Sequence, residues 1–191
     1  MNDLPAHDKE TGELTSLPSG YQTGNQSLAV QLAVAELNQD VISARSFPRS
    51  VAMVMRNITQ LVMLDEQTAK ECVYAVPRDG KTIRGPSIRL AEIIASQWGN
   101  CHCASRVVHV DKLEKYVESE GIFHDLETGL KRTARTRKSI ARRDGGVYSQ
   151  DMIMTAGNAA ASIGMREAIL KGVPKAAVSY THLTLPTNRE V

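Results

Sequence analysis

The stretch that decides the fold is Cys101–Tyr148, CHCASRVVHVDKLEKYVESEGIFHDLETGLKRTARTRKSIARRDGGVY. Here the pattern of side chains takes a period of two, and His102–Val110, Tyr116–Asp125 and Leu130–Arg142 read as strands. Asp111-Lys112 and Glu127-Thr128-Gly129 separate them, and Asp144-Gly145-Gly146 ends the third before a short Val147-Tyr148 extension. Parallel neighbours need a crossover of a dozen or more residues, so connections this short predict an antiparallel meander of about three to four strands.

Helices are predicted on both sides of the meander. Downstream, Ser149 or Gln150 opens a long helix to about Gly172, with Pro174 beyond its end. Its middle, GNAAASIG (Gly157–Gly164), has almost no bulk and can approach a sheet closely. Upstream, Ser27 caps a helix over Leu28–Asn38, Phe47-Pro48 breaks the chain, a second helix runs through Leu64, and Asp65 caps a third to about Cys72. Tyr74–Pro77 reads as a short strand end and Asp79-Gly80 as a turn. Ser87 then caps a helix whose Ile88, Leu90, Ala91, Ile94, Ala95 and Trp98 share helical register, ended by Gly99-Asn100. The predicted class is α+β: a small antiparallel meander flanked by helices, with the long C-terminal helix packed on the sheet.

Residues 1–26 are rich in Asp, Glu, Gly, Ser, Thr and Pro and bury too little to offset their ordering entropy, so they are expected to form a disordered acidic tail. Residues 27–177 are expected to form one domain, truncated at its end. Val178–Val191 (VSYTHLTLPTNREV) does not continue the pattern and resembles translated sequencing-adapter DNA, so it is expected to be a non-native or disordered tail without function.

Among 191 residues, 23 Lys+Arg face 21 Asp+Glu, a formal charge of +2. That near-neutral figure conceals an uneven distribution. Residues 1–46 hold six acids and two bases, whereas KRTARTRKSIARR (131–143) holds seven bases and no acid. Polyanions are therefore the first partner class, and the acidic head is a candidate competitor for the same surface. No apolar run approaches the roughly 18–20 residues that span a bilayer, and the first 27 residues lack the apolar core of a secretion signal. Three cysteines, Cys72, Cys101 and Cys103, have no disulfide-framework spacing, which suits an intracellular, reducing compartment.

On an extended strand, Lys131, Arg135, Arg137 and Arg143 lie on one face with Thr133, Ser139 and Ala141. Arg132, Lys138 and Arg142 share the other with Leu130, Ala134, Thr136 and Ile140. Bases two residues apart stand roughly 6.6–6.8 Å apart, near the spacing of successive phosphates. An edge strand guarded by charge against aggregation accounts for one or two such bases rather than seven. A second basic stretch, PRDGKTIRGPSIRLAE (Pro77–Glu92), carries Arg78, Lys81, Arg84 and Arg89 around a glycine turn and the helix N-terminus at Ser87, a geometry that suits anions or a plain hairpin with solvated bases. Gly80-Lys81-Thr82 is not a Walker A loop, because Ala75 stands where its first glycine belongs.

Catalytic signals are weak. Cys101-His102-Cys103 puts two sulfurs on one strand face with no second pair to complete a zinc site, and reads as buried small residues. Asp125 and Glu127 suggest a magnesium nuclease cluster but are more economically a loop. No catalytic residue, metal or cofactor is expected. The basic strip holds no aromatic, so binding is expected to run through phosphates with little base selectivity.

Three places give the chain a family likeness: Cys72–Lys81 with Tyr-x-Val-Pro-x-x-Gly-Lys, Ile88–Asn100 ending in Trp-Gly-Asn, and Asp151–Pro174, an Ala-rich helix containing Arg166. In these places, within residues 47–177, the chain resembles the phage and prophage single-strand annealing proteins of the RecT and Redβ type. The resemblance implies ATP-independent binding of single-stranded DNA and pairing of complementary strands, in the cytoplasm of a bacterial host. It further implies a homo-oligomeric ring or filament, and a phage exonuclease or single-strand-binding protein as partner. Arg135 and Arg137 would contact phosphates, with Arg84, Arg89 and Arg166 as second candidates. The alternatives are a metal-dependent nuclease using Asp125 and Glu127, or a structural or regulatory phage DNA-binding protein.

Overall fold

The computed structural model describes residues 28–184 except Asp79, with side chains described as far as Ser179 apart from Arg78. The expected tail at 1–26 and the Ser27 cap lie outside the described residues, as do residues 185–191. The chain divides between Gln39 and Asp40 into two units. Of the first, the described part is the start of α1 (Leu28–Ser46), exposed along its length from Leu28 to Gln39. α1 continues eight residues past the expected Asn38, because nothing breaks a helix before Phe47-Pro48.

The second unit, from Asp40 onward, is α+β. α2 (Val51–Val62) turns Val54, Ile58 and Val62 inward, and ends two residues short of the expected Leu64. α3 (Glu66–Glu71) starts at Asp65, whose carboxylate accepts from the Thr68 amide at 2.7 Å. β1 (Val73–Arg78) and β2 (Lys81–Pro86) form a two-stranded antiparallel sheet, so the short strand expected at Tyr74–Pro77 is half of a hairpin. Gly80 takes φ +76° at its turn, a conformation glycine adopts without strain. α4 (Ile88–Trp98) buries Leu90, Ala91, Ile94 and Trp98, and Gly99 and Asn100 leave it at positive φ as their types predict.

β3 (Cys101–Asp111), β4 (Tyr116–Asp125) and β5 (Lys131–Ser139) make the antiparallel meander in the order β3-β4-β5, with a bulge at Val107–His109. β5 stops at Ser139 rather than Arg142. Its last partner, Tyr116, is the first residue of β4, so the ladder has no further strand to pair. Ile140 then turns into the core, and the Val147-Tyr148 extension is reduced to a single bridge between Ala141 and Val147.

α5 (Gln150–Gly172) packs on this sheet by its small residues. Gly157, Ala160, Gly164, Ala168 and Gly172 are buried along one stripe. Ser119 donates to the Gly157 carbonyl at 3.1 Å, and a Cβ on Gly172 would collide with the Phe123 ring. At the centre Gly121 of β4 meets Gly164 so closely that a Cβ on Gly121 would overlap the Gly164 carbonyl. The low bulk read from the sequence is therefore what permits the contact. The larger core gathers α2, α4, Phe123 and the end of α5, and a smaller one joins Val117, Ile140, Ile153 and Ala156. α6 (Lys175–Thr184) runs through the boundary expected at Val178. Among the described residues no helix is long and apolar enough to cross a membrane.

Candidate nucleic-acid interface

The face of the meander turned from α5 is built by one residue in two from each strand. β5 contributes Lys131, Thr133, Arg135 and Arg137, all exposed, as the alternation predicts. The register sets them against His124, Ile122, Glu120 and Glu118 of β4, and Arg106 of β3 stands opposite Glu120 on the other side. The outcome is a cross-strand row. Arg106 donates to Glu120 through Nη2 at 2.7 Å and Nε at 3.1 Å, while Arg135 Nε approaches the other carboxylate oxygen at 3.4 Å. A second pair runs beside it, Arg137 Nη2 to Glu118 at 3.5 Å, with the Arg137 guanidinium 4.6 Å above the Tyr116 ring.

The two partners of each pair sit at different depths. The side chains of Arg106, Arg135 and Arg137 are 67%, 65% and 63% exposed, whereas Glu120 and Glu118 are 8% and 13% exposed. The carboxylates form a floor and the guanidiniums a roof. Hydrogen bonds from Arg106, with the Arg135 bond beside them, outweigh the cost of desolvation and hold Glu120 below the usual carboxylate range. Each guanidinium has five N–H donors and spends one or two on glutamate, so outward donors remain for an anion.

The opposite face of β5 leads to a groove. Arg132, Thr133, Leu170, Lys171, Val173 and Lys175 line an open cavity of about 740 Å³ between the strand edge and the junction of α5 with α6. Lys171 shares Glu167 at 3.4 Å, and Arg132 and Lys175 have no ion pair among the described residues. Lys138 lies at the other end of β5, beside Tyr148 and Met152.

The remaining candidates are dispersed. Arg142 and Arg143, expected on the strand, fall in the turn beyond it, where Arg142 pairs with Asp144 at 2.7 Å. Lys81 and Arg84 are exposed on β2, in a separate sheet, and the Arg78 side chain is outside the described residues. Arg89 pairs with Glu92 on α4. The N-terminus of α4 is no open anion site: Ser87 is buried, accepts from the Leu90 amide at 3.3 Å and donates to the Glu71 carbonyl. Arg166 is half-buried, pairs with Glu167 at 3.0 Å and lies over the Tyr74 ring at 4.8 Å.

Asp125 and Glu127 are engaged in an ion-pair network within the fold. Arg49, preceding α2, grips Asp125 with both terminal nitrogens at 2.6 and 2.8 Å and reaches Glu127 through Nε at 2.9 Å. Trp98 Nε1 donates to Asp125 at 3.0 Å, the amides of Glu127 and Thr128 donate to it at 3.0 and 3.1 Å, and Asn100 donates to Glu127 at 2.7 Å. Burial raises the Asp125 pKa, but the Arg49 and Trp98 hydrogen bonds outweigh it and bring it to about 2. These carboxylates tie α2, α4 and β4 together. Among the described residues no group of three His, Cys, Asp or Glu side chains could hold a metal ion. The Cys101-His102-Cys103 run also departs from the expected burial, since Cys101 is half-buried, Cys103 is exposed, and His102 points to Asp40 at 2.9 Å.

Sequence reasoning missed Arg106, Lys171, Lys175, the role of Arg49, and the glutamate floor. Arg106 was legible, because period-two counting puts it on the same strand face as His102 and Ala104. Its partnership with Arg135 required the register of two ladders at once. No family model, curated protein or solved structure matches the chain.

Proposed function

We propose that the protein binds single-stranded DNA through its phosphates and pairs complementary strands without ATP, in phage-type homologous recombination within the bacterial cytoplasm. The observation that carries the reading is the outer sheet face, where Arg106, Arg135 and Arg137 present free guanidinium donors to solvent and Lys131 adds a fourth cation. A sheet face of this kind is rigid, and guanidinium is the group best matched to phosphate. The groove with Arg132, Lys171 and Lys175 offers a second positively charged lining next to the same strand. Annealing requires charge neutralisation and accessible bases rather than bond-breaking groups. A homo-oligomeric ring or filament, with an exonuclease or single-strand-binding protein as partner, belongs to the same proposal.

The test mixes dye-labelled complementary oligonucleotides with the protein in the absence of magnesium and ATP. Accelerated pairing is expected, and shortened products on adding magnesium would instead favour a nuclease. Reversing two charges, Arg135→Glu with Arg137→Glu, is expected to weaken binding on the order of 100-fold at low salt, since each reversal near a phosphate is worth about 1.4 kcal/mol. Unchanged affinity in a variant with an unchanged melting curve would remove this face as the DNA site.

A further inference from the structure

A phosphate-binding surface made only for affinity would leave its cations unopposed. Here every arginine of the outer face has a carboxylate beneath it, and both carboxylates come from the central strand. Arg106, Lys131, Arg135 and Arg137 supply four positive charges and Glu118 and Glu120 two negative ones, so these six groups sum to +2. Asp111, on the same strand face at the end of β3, accepts from the turn amides of Leu113 and Glu114 at 2.9 Å and is taken up by the turn.

The glutamates are not needed to cover the arginines, which stay largely in solvent. Their effect falls on what the arginines can bind. A phosphate docking on the roof stands across each guanidinium from a fixed negative charge, at a distance of several ångströms where repulsion through a partly wet surface is still on the order of 1 kcal/mol. The same carboxylates hold the guanidinium planes in place, so the outward donors keep a fixed direction.

We infer that Glu118 and Glu120 are built-in counterions of the nucleic-acid face, which orient Arg106, Arg135 and Arg137 and at the same time hold their affinity for phosphate down. The inference rests on the single-stranded DNA reading above, and gives it a consequence: a strand is gripped loosely enough to be surrendered to its complement. A grip that is too tight leaves the bound strand unable to pair, so the carboxylates favour exchange over storage.

The experiment compares the full chain with Glu118→Gln/Glu120→Gln, titrated by fluorescence anisotropy against an oligothymidylate of about 30 nucleotides. Salt is varied from about 50 to 200 mM. The double variant is expected to bind about tenfold more tightly, equivalent to about 1.4 kcal/mol. Glu114→Gln, which removes one carboxylate at the exposed β3–β4 turn, is expected to stay within about twofold because an exposed charge of this kind is well screened. Equal or weaker affinity in a folded double variant would overturn the inference. If that variant does not fold, Glu118→Gln alone decides it, because among the described residues that carboxylate is ion-paired only with Arg137, and at 3.5 Å. Binding by wild type without tightening in the variant removes the counterion role and leaves the DNA reading intact. Tight binding by the variant alone keeps the counterion role and refutes the DNA reading for the natural sequence. No binding by either overturns both.

Discussion

Gly121→Val is expected to leave no cooperatively folded protein. Gly121 lies on the α5 side of β4, and even a single Cβ there would overlap the carbonyl carbon and oxygen of Gly164 and the amide of Met165. These are backbone atoms of a buried helix turn, with no rotamer to shift. Overpacking a core by a movable side chain costs about 1–3 kcal/mol. Displacing α5 would in addition open its contacts with Val117, Phe123 and Ala134 on the sheet, against a total stability that for most domains is about 5–15 kcal/mol. The measurement is a thermal or urea melt followed by circular dichroism, and a variant with a normal transition would show that α5 does not sit against β4 at this point. Gly164→Ala is a milder change. Its Cβ would meet the Gly121 amide at 3.0 Å and the Ala134 carbonyl at 3.2 Å, and alanine returns about 1 kcal/mol of helix propensity. A modest loss of stability is expected there, smaller than for the valine at Gly121.

Arg49→Met carries the second large effect. It leaves the Asp125 carboxylate, whose side chain is 3% exposed, with Trp98 and two amides but no countercharge. Removing one partner of a buried ion pair costs about 3–5 kcal/mol. The stacking of the guanidinium 4.6 Å over Trp98 is lost as well.

The pH dependence identifies the cause. In the natural protein the Asp125 pKa is about 2, below its unfolded value of about 3.9, so its contribution is fully present above pH 4 and is lost as pH falls through about 2. In Arg49→Met, desolvation acts with less opposition and the folded pKa moves upward. The variant's deficit relative to wild type is then expected to be largest near neutral pH and to shrink as pH drops towards 4. Adding Asp125→Asn should restore part of the loss at pH 7, because an amide keeps an acceptor for Thr128 without a buried charge. A deficit independent of pH and unrelieved by Asp125→Asn would show that Arg49 acts through packing alone.

The two glycine and arginine sites differ in how far they could be read in advance. The small stripe Gly157–Gly164 announced a close helix contact, since absence of bulk is a local property of the chain. Its counterpart Gly121 sits inside a strand as one glycine among thirteen, and only the packing of α5 on β4 gives it meaning. Arg49 and Asp125 are 76 residues apart. Nothing in the spacing of either could join them.

The amino-acid sequence by itself determined the helices α1 to α4, the meander and its short turns, the caps at Asp65 and Ser87, the long small-faced helix, and the exposure of Lys131, Arg135 and Arg137. All of these follow from periodicity, turn chemistry and propensity acting over a few residues. Tertiary structure alone decided where the ladder ends, which arginines meet which glutamates, and that Asp125 is a structural anchor. These depend on register and on contacts between distant segments, where a shift of one residue reverses every side chain. The strip of seven bases is the clearest case. Along the chain it carries no acid, and in the sheet two of its outward arginines stand over glutamates from the neighbouring strand, because a β-ladder places side by side residues that the sequence keeps 15 and 19 positions apart.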